Sequence, residues 1–301
     1  MSGFGDDRHS GASDVARAFL VELERWAATD TSSAPPELRA RLKAWLRAAQ
    51  AAQPSMALVH QLAARALEVA DTGLRRGDAP ADLRAHLALS CAAEREDLAA
   101  SQAAVARQAV ALLDQSESWI GTLSSSTTVR DALLAAHAAG RGPRALVAEG
   151  RPGMHGRALA AALAAADIPV WLVVDAALPL VLSQAQQVWI GADAVTELGV
   201  LNAVGSYAVA LAAREHSVPL YALAGRRKFL PAVSGALKIV EGPPGEVWET
   251  PAPGVRPRNV PFEMVPLALL RGIVLENEVI GATEAATLAR ERPLPEELAG
   301  E

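Results

Sequence analysis

The sequence predicts an α/β protein: a helical N-terminal domain, residues 1–115, followed by a parallel-sheet C-terminal domain, residues 116–301. Three observations carry this expectation. Up to about residue 115 the apolar residues fall at helical spacing, and no strand-like run interrupts them. From about Glu117, short runs rich in β-branched or aromatic residues alternate with helical stretches, as in a sheet covered on both faces. Aromatic residues make up only 4% of the chain, which argues against an all-β sandwich.

Taken in order, Asp14 is suited to cap a first helix that places Val15, Phe19, Leu23 and Trp26 on one face. Pro35 and Pro36 open a second helix, running to about Gln53. Pro54 and Ser55 open a third, with Val59, Leu62, Ala66 and Val69 on one stripe. Gly77 to Pro80 make a break, and a long Ala-rich helix follows from about Asp82 to Leu113. The expected strands are Trp119–Leu123, Ala145–Glu149, Val170–Val174, Val188–Gly191 and Leu220–Leu223. Helices are expected at Thr128–Ala139, His155–Ala166, Ala176–Leu182 and Ala203–His216. Right-handed crossovers through these helices give a Rossmann-like domain. Gly242 to Pro261 reads as a surface loop or arm, Val265–Leu275 as a last helix, and the remainder as Val279–Ile280 and a polar tail.

Composition excludes several functions. The net charge of −6 offers no basic excess for a nucleic-acid backbone. Cys91 is the only cysteine, so neither an intrachain disulfide nor a cysteine-based zinc cluster is expected, which fits a reducing compartment. The polar amino terminus, with Asp6 and Asp7, lacks the apolar core of a secretory signal. No apolar run is long enough to span a bilayer. A cytoplasmic protein without cofactor, metal or membrane partner is expected.

In an open parallel sheet, ligands bind beyond the carboxyl ends of the strands. The first strand is followed by Ser124, Ser125, Ser126, Thr127 and Thr128. A hydroxyl-rich helix start offers backbone N–H groups, side-chain donors and the positive end of the helix dipole, a combination that suits a phosphate; simple N-capping would need one such residue. After the second strand, Arg151 or Arg157 is placed to clamp a phosphate or to stand as a surface charge. His155 has no His or Cys neighbour in sequence to make it a metal ligand. After the fourth strand, Asp193 is a candidate base or sugar-hydroxyl acceptor, or a turn former. Asn202, Gly205, Ser206 and Tyr207 open a helix with further donors, and Arg226, Arg227 and Lys228 follow the fifth strand as phosphate ligands or a solvated basic turn. Cys91, among Ala and Ser in a helix, reads as a buried thiol.

These stretches carry a resemblance. Thr122–Val129, Glu149–Pro152 with Gly156 and Arg157, Gly191–Asp193, Asn202–Tyr207, Lys228–Phe229 and Pro261–Glu276 together resemble one family in order and spacing, with looser likeness at Gly11–Ala12 and Pro54–Ser55. That family joins the alpha, beta and delta regulatory subunits of eukaryotic translation initiation factor two-B with two sugar-phosphate isomerases, of ribose-1,5-bisphosphate and of methylthioribose-1-phosphate. The resemblance implies a pocket for a phosphorylated sugar or nucleotide between the two domains, and a homodimer or higher homo-oligomer formed through the second.

It also implies roles. The isomerases' catalytic aspartate falls on Asp193 and their cysteine on Ser124; Ser126, Thr127, Thr128, Asn202 and Lys228 match ligand-contacting positions. Gly11, Ala12, Ser125 and Arg151 complete the expected binding set. Departures are Ser124, a far weaker acid than a thiol, Ala203 in place of a lysine, and Ser10 in place of an arginine. Three functions are therefore weighed: a ligand-binding protein of the initiation-factor type, an aldose–ketose isomerase with an altered site, and an oligomeric scaffold. The Ala-, Leu- and Arg-rich composition resembles that of a GC-rich bacterial genome, where an exchange factor for eukaryotic factor two has nothing to serve.

Overall fold

The computed structural model describes residues 4–5, 7, 10–113, 117–232, 235–292 and 294–299. It opens with four helices: α1 (Ala12–Thr29), α2 (Pro35–Ala52), α3 (Ala57–Arg76) and α4 (Pro80–Ala111). α2 starts at the expected proline pair, where a missing N–H costs nothing. α1 is capped by Gly11; Asp14, the expected cap, lies inside the first turn and pairs with Arg17 at 2.6 Å. Leu38, Leu42 and Leu46, four apart on α2, are fully buried with Phe19, Leu23, Leu62, Leu83 and Leu87. Each such side chain contributes about 1.5–3 kcal/mol by leaving water.

The long α4 serves two cores. Leu83, Leu87 and Cys91 pack among the front helices, while Val105, Ala106 and Ala109 pack with Val129, Leu133 and Trp189 against the sheet. The expected boundary between residues 115 and 116 falls at 114–116, outside the described residues, as does Asp6.

Beyond it come β1 (Ser118–Leu123), α5 (Thr127–Ala138), β2 (Pro143–Ala148), α6 (His155–Ala164), β3 (Val170–Val173), α7 (Leu178–Val181, flanked by 3₁₀ turns) and β4 (Gln187–Ile190). Then follow β5 (Ala194–Val195), β6 (Gly199–Ala203), α8 (Ser206–Glu215), β7 (Leu220–Leu223), β8 (Phe262–Pro266), β9 (Gly272–Val274), β10 (Val279–Ile280) and α9 (Ala282–Arg290). The main sheet has seven strands in the order β10-β9-β7-β4-β1-β2-β3, parallel except for β10. The chain runs outward from β1 through β2 to β3, then returns to lay β4 on the other side of β1. The switch point therefore lies between β1 and β4, where a crevice opens beyond the strand ends.

The five expected strands are present within a residue or two. The expected helix Val265–Leu275 is instead β8, a 3₁₀ turn at Leu267–Leu269 and β9. Residues 262–266 pair with β6 and residues 272–274 with β7, and the β-branched Ile273 and Val274 suit the sheet. The helix expected from Ala203 begins at Ser206, because Asn202 and Ala203 belong to β6. A small antiparallel sheet, β5-β6-β8, went unforeseen, since β5 is two residues long. The expected polar tail contains α9, and beyond it Leu298 returns to the helical core while Glu297 pairs with Arg39 at 2.7 Å and Lys43 at 2.6 Å. Among the described residues no helix is long and apolar enough to cross a membrane.

Candidate functional site

At the switch point lies a cavity of about 140 Å³. A single water needs roughly 10–15 Å³ on this measure, so there is room for about ten waters, or a small polar ligand. Its wall gathers the loops after β1 (Ser124–Thr127), β2 (Gly150–Gly153) and β4 (Gly191–Asp193), together with Asn202 on β6 and Lys228 after β7. From the start of α1 and the turn between α2 and α3 come Gly11, Ala12, Gln53, Pro54 and Met56. Of the residues singled out in the sequence, Gly11, Ala12, Ser124, Ser125, Ser126, Thr127, Arg151, Asp193, Asn202 and Lys228 line this one cavity. Thr128 does not; it is buried in the first turn of α5.

Local geometry explains the convergence. Ser124 leaves β1 with φ 56°, in the left-handed region that a non-glycine residue adopts at a cost of about 1–3 kcal/mol. Gly150, at φ 73°, lies against it: a Cβ there would sit 2.8 Å from the Ser124 Cα. The backbone N–H groups of Gly150 and Arg151 each donate to the Asp175 carboxylate at 2.7 Å, fixing that loop. Ser126 caps α5, its hydroxyl accepting from Val129 N–H at 3.4 Å. The start of α1 meets the same turn: a Cβ on Gly11 would lie 3.9 Å from Thr127 Oγ1. A Cβ on Gly191 would lie 2.5 Å from Ser126 Oγ and 3.7 Å from Asn202 Oδ1, so the loops after β1 and β4 and strand β6 touch. Gly191→Ala is accordingly expected to destabilise the fold by about 1–3 kcal/mol, measured by urea denaturation.

Two ionisable groups dominate the electrostatics. Asp193 and Lys228 have relative exposures of 8% and 6%. Burial pushes the Asp193 carboxyl up to about 6, against the opposing pull of the Lys228 cation. Burial likewise lowers the Lys228 ammonium, and the Asp193 carboxylate resists that fall. Among the described residues neither side chain forms an ion pair within 4.0 Å, so the two attract across the cavity without closing on each other. Both charges therefore stay available to a ligand.

Other expected donors are committed elsewhere. The Glu263 carboxylate accepts from Gly205 N–H and Tyr207 N–H at 2.7 Å each, so the start of α8 already holds an anion. Asn202 Nδ2 donates to Ser206 Oγ at 2.9 Å. Arg157 pairs with Glu149 at 2.9 Å. Arg226 pairs with Glu278, and Arg227 with Glu94 and Asp97, leaving Lys228 as the cation of that turn that lines the cavity. Arg151 is exposed and donates to the Val247 carbonyl at 3.3 Å.

Sequence reasoning missed Gln53, Met56 and Phe262, and did not foresee that Val240, Gly242, Glu246, Asn259 and Pro261 in and beside the expected surface arm would line the cavity. His155, set aside as a metal ligand, lines it as well. Ser10 and Ala203, the positions that lack a cation, also line it.

Comparison with known proteins follows the same architecture. The chain is 34% identical over 161 residues to a Pyrococcus furiosus protein named translation initiation factor eIF-2B subunit 2-like, covering 53% of this chain and 56% of that one. It is 34% identical over 173 residues to the methylthioribose-1-phosphate isomerase of Synechococcus sp., covering 54% and 52%. The chain thus matches about half the length of these curated relatives. The crystal structure of translation initiation factor eIF-2B from Pyrococcus horikoshii OT3 superposes with a TM-score of 0.78 at 25% identity, over 92% of this chain and 94% of that one. The sequence profile of the initiation factor 2 subunit family matches residues 8–281, and the chain belongs to that family.

Proposed function

We propose that this protein is a sugar-phosphate aldose–ketose isomerase whose pocket lies between a helical domain, residues 1–115, and an α/β domain, residues 116–301. The observation that carries the proposal is Asp193: a buried carboxyl raised to about 6, in a polar cavity with Lys228 as counter-charge. A general base works best when its pKa lies near the operating pH. The relative that is an isomerase supports the same chemistry.

In this reading Lys228 and the start of α5, with Ser125, Ser126 and Thr127, hold the phosphate. Thr128 supports that turn from beneath. Gly11 and Ala12 close the cavity, Arg151 stands at its edge, and Asn202 and Asp193 face the sugar carbons. Aldose–ketose conversion moves the hydrogen on C2 to C1 and passes the C2 hydroxyl proton to the oxygen released at C1; nothing enters or leaves. Asp193 takes that hydroxyl proton and returns it. Ser124 remains protonated at neutral pH and contributes a hydrogen bond. A melting-temperature screen of pentose phosphates tests binding, because a ligand of the native state must raise the transition. NMR detection of ketose product tests turnover. No shift with any pentose phosphate defeats the proposal.

The second reading, ligand binding without turnover, is favoured by Ser124 itself. The two separate on one variant: Ser124→Cys is expected to raise turnover at least tenfold if the pocket isomerises, because a thiol is far more acidic than a hydroxyl. An unchanged, absent turnover supports the binding protein.

Self-association belongs to the same proposal. β3 is a sheet edge, and Trp171, Leu172, Val174 and Leu180 are exposed on or beside it. An exposed apolar edge is a template for pairing with another chain. Light scattering is expected to give a dimer or larger species, and Trp171→Lys to give monomer.

A further inference from the structure

We infer that the arm formed by residues 240–261 reads the end of the ligand remote from its phosphate, and that this end carries hydrogen-bond donors, hydroxyl or ammonium, in place of a second phosphate or an apolar substituent. The inference rests on the proposed pocket and adds which pentose phosphates it prefers.

The sheet order sets the geometry. Lys228 follows β7, whereas Arg151 follows β2, and β4 and β1 lie between them. Three inter-strand steps of about 4.8 Å separate the two strands by roughly 14 Å. The arm is tied to the β2 side: Arg151 Nη2 donates to the Val247 carbonyl at 3.3 Å. Its two ends are clipped together, Gly242 N–H donating to the Asn259 carbonyl at 2.8 Å. The pocket therefore has a cationic side at Lys228 and a second side built by the arm.

What the arm presents is acceptors. Asn259, at 1% exposure, lines the cavity and donates through Nδ2 to the Glu246 carboxylate at 2.6 Å and the Pro243 carbonyl at 3.1 Å. Both neighbours are acceptors, so the amide can be oriented only one way. Its Oδ1 is then a buried acceptor without a hydrogen-bond partner among the described residues. Glu246 lines the cavity beside it with a carboxylate that is half-buried. Arg151 is the cation of this side, and it is exposed and bonded to the arm's backbone. A lone acceptor beside a carboxylate is complemented by N–H or O–H groups; a phosphate there meets like charge, and a thioether leaves the acceptor unpaired.

The test is a calorimetric titration of the full chain with a series that shares the 1-phosphate and varies C5: ribose 1-phosphate, its 5-amino-5-deoxy analogue, methylthioribose-1-phosphate and ribose-1,5-bisphosphate. The hydroxyl or amino member is expected to bind at least tenfold tighter than the methylthio and bisphosphate members, and the better of the two identifies the donor. Glu246→Ala, which leaves Asn259 Nδ2 its bond to the Pro243 carbonyl, is expected to shrink this preference below threefold. Tightest binding by the bisphosphate or methylthio member, or an undiminished preference in Glu246→Ala, overturns the inference and leaves the pocket standing. Binding by no member overturns both.

Discussion

Asp193→Asn is expected to lower turnover by about 10²–10⁴-fold, the usual contribution of a positioned general base, while ligand affinity stays within a few-fold. In the parent protein kcat/KM should rise with pH through about 6, as the Asp193 carboxyl ionises. Stability should move the other way. The folded pKa lies above the ordinary value of 3.8, so the carboxyl's favourable contribution is complete below about 3.8 and is lost as pH rises through about 6. Above that range the buried carboxylate costs roughly 3 kcal/mol at 1.36 kcal/mol per pKa unit. Asparagine removes this cost, in which the attraction of Lys228 is already counted. Asp193→Asn should therefore melt several degrees higher than the parent at pH 8 and nearly with it at pH 3.5. A variant that keeps its turnover excludes Asp193 as the base. One that melts lower at pH 8 contradicts the burial argument.

Lys228→Met should weaken phosphate-ligand binding by about thirtyfold or more, since truncating one partner of a buried charge pair costs about 2–5 kcal/mol. The same substitution removes the cation that holds the Asp193 carboxyl down, so whatever turnover survives should show its acid limb at a higher pH. Titration calorimetry measures the first effect and the pH profile of kcat/KM the second. A large loss of affinity with an unmoved acid limb would separate Lys228 from Asp193 and break the two-charge description of the cavity.

Much of this was legible in the chain. Leu38, Leu42 and Leu46 announce a buried helix face by their spacing, and the run Ala145–Ala148 announces a covered parallel strand by its lack of polar residues. Once the strands are known, the rule that ligands sit beyond their carboxyl ends selects Ser124–Thr127, Asp193 and Lys228. The misreadings were of another kind. Val265–Leu275 is largely apolar, and periodicity cannot tell a short buried strand from a helix; the β-branched Ile273 and Val274 were the signal against the helix. Gly205 and Tyr207 look like open donors because Glu263, which takes them, lies more than fifty residues away in sequence. Arg226 and Arg227 look like phosphate ligands because their acidic partners sit on α4 and beyond β9. The arm looks like surface because its Gly and Pro content records only its irregular backbone.

Local patterns were enough for the helical front, the alternation of strands and helices, and the hydroxyls, acid and lysine at the strand ends, because periodicity, propensity and turn chemistry act over a few residues. Three features came from the folded arrangement alone: Asp193 and Lys228 share the cavity without pairing, Glu263 fills the start of α8, and the arm supplies Glu246 and Asn259 to the cavity wall. Burial and charge pairing depend on which distant segments meet, and no local pattern encodes that.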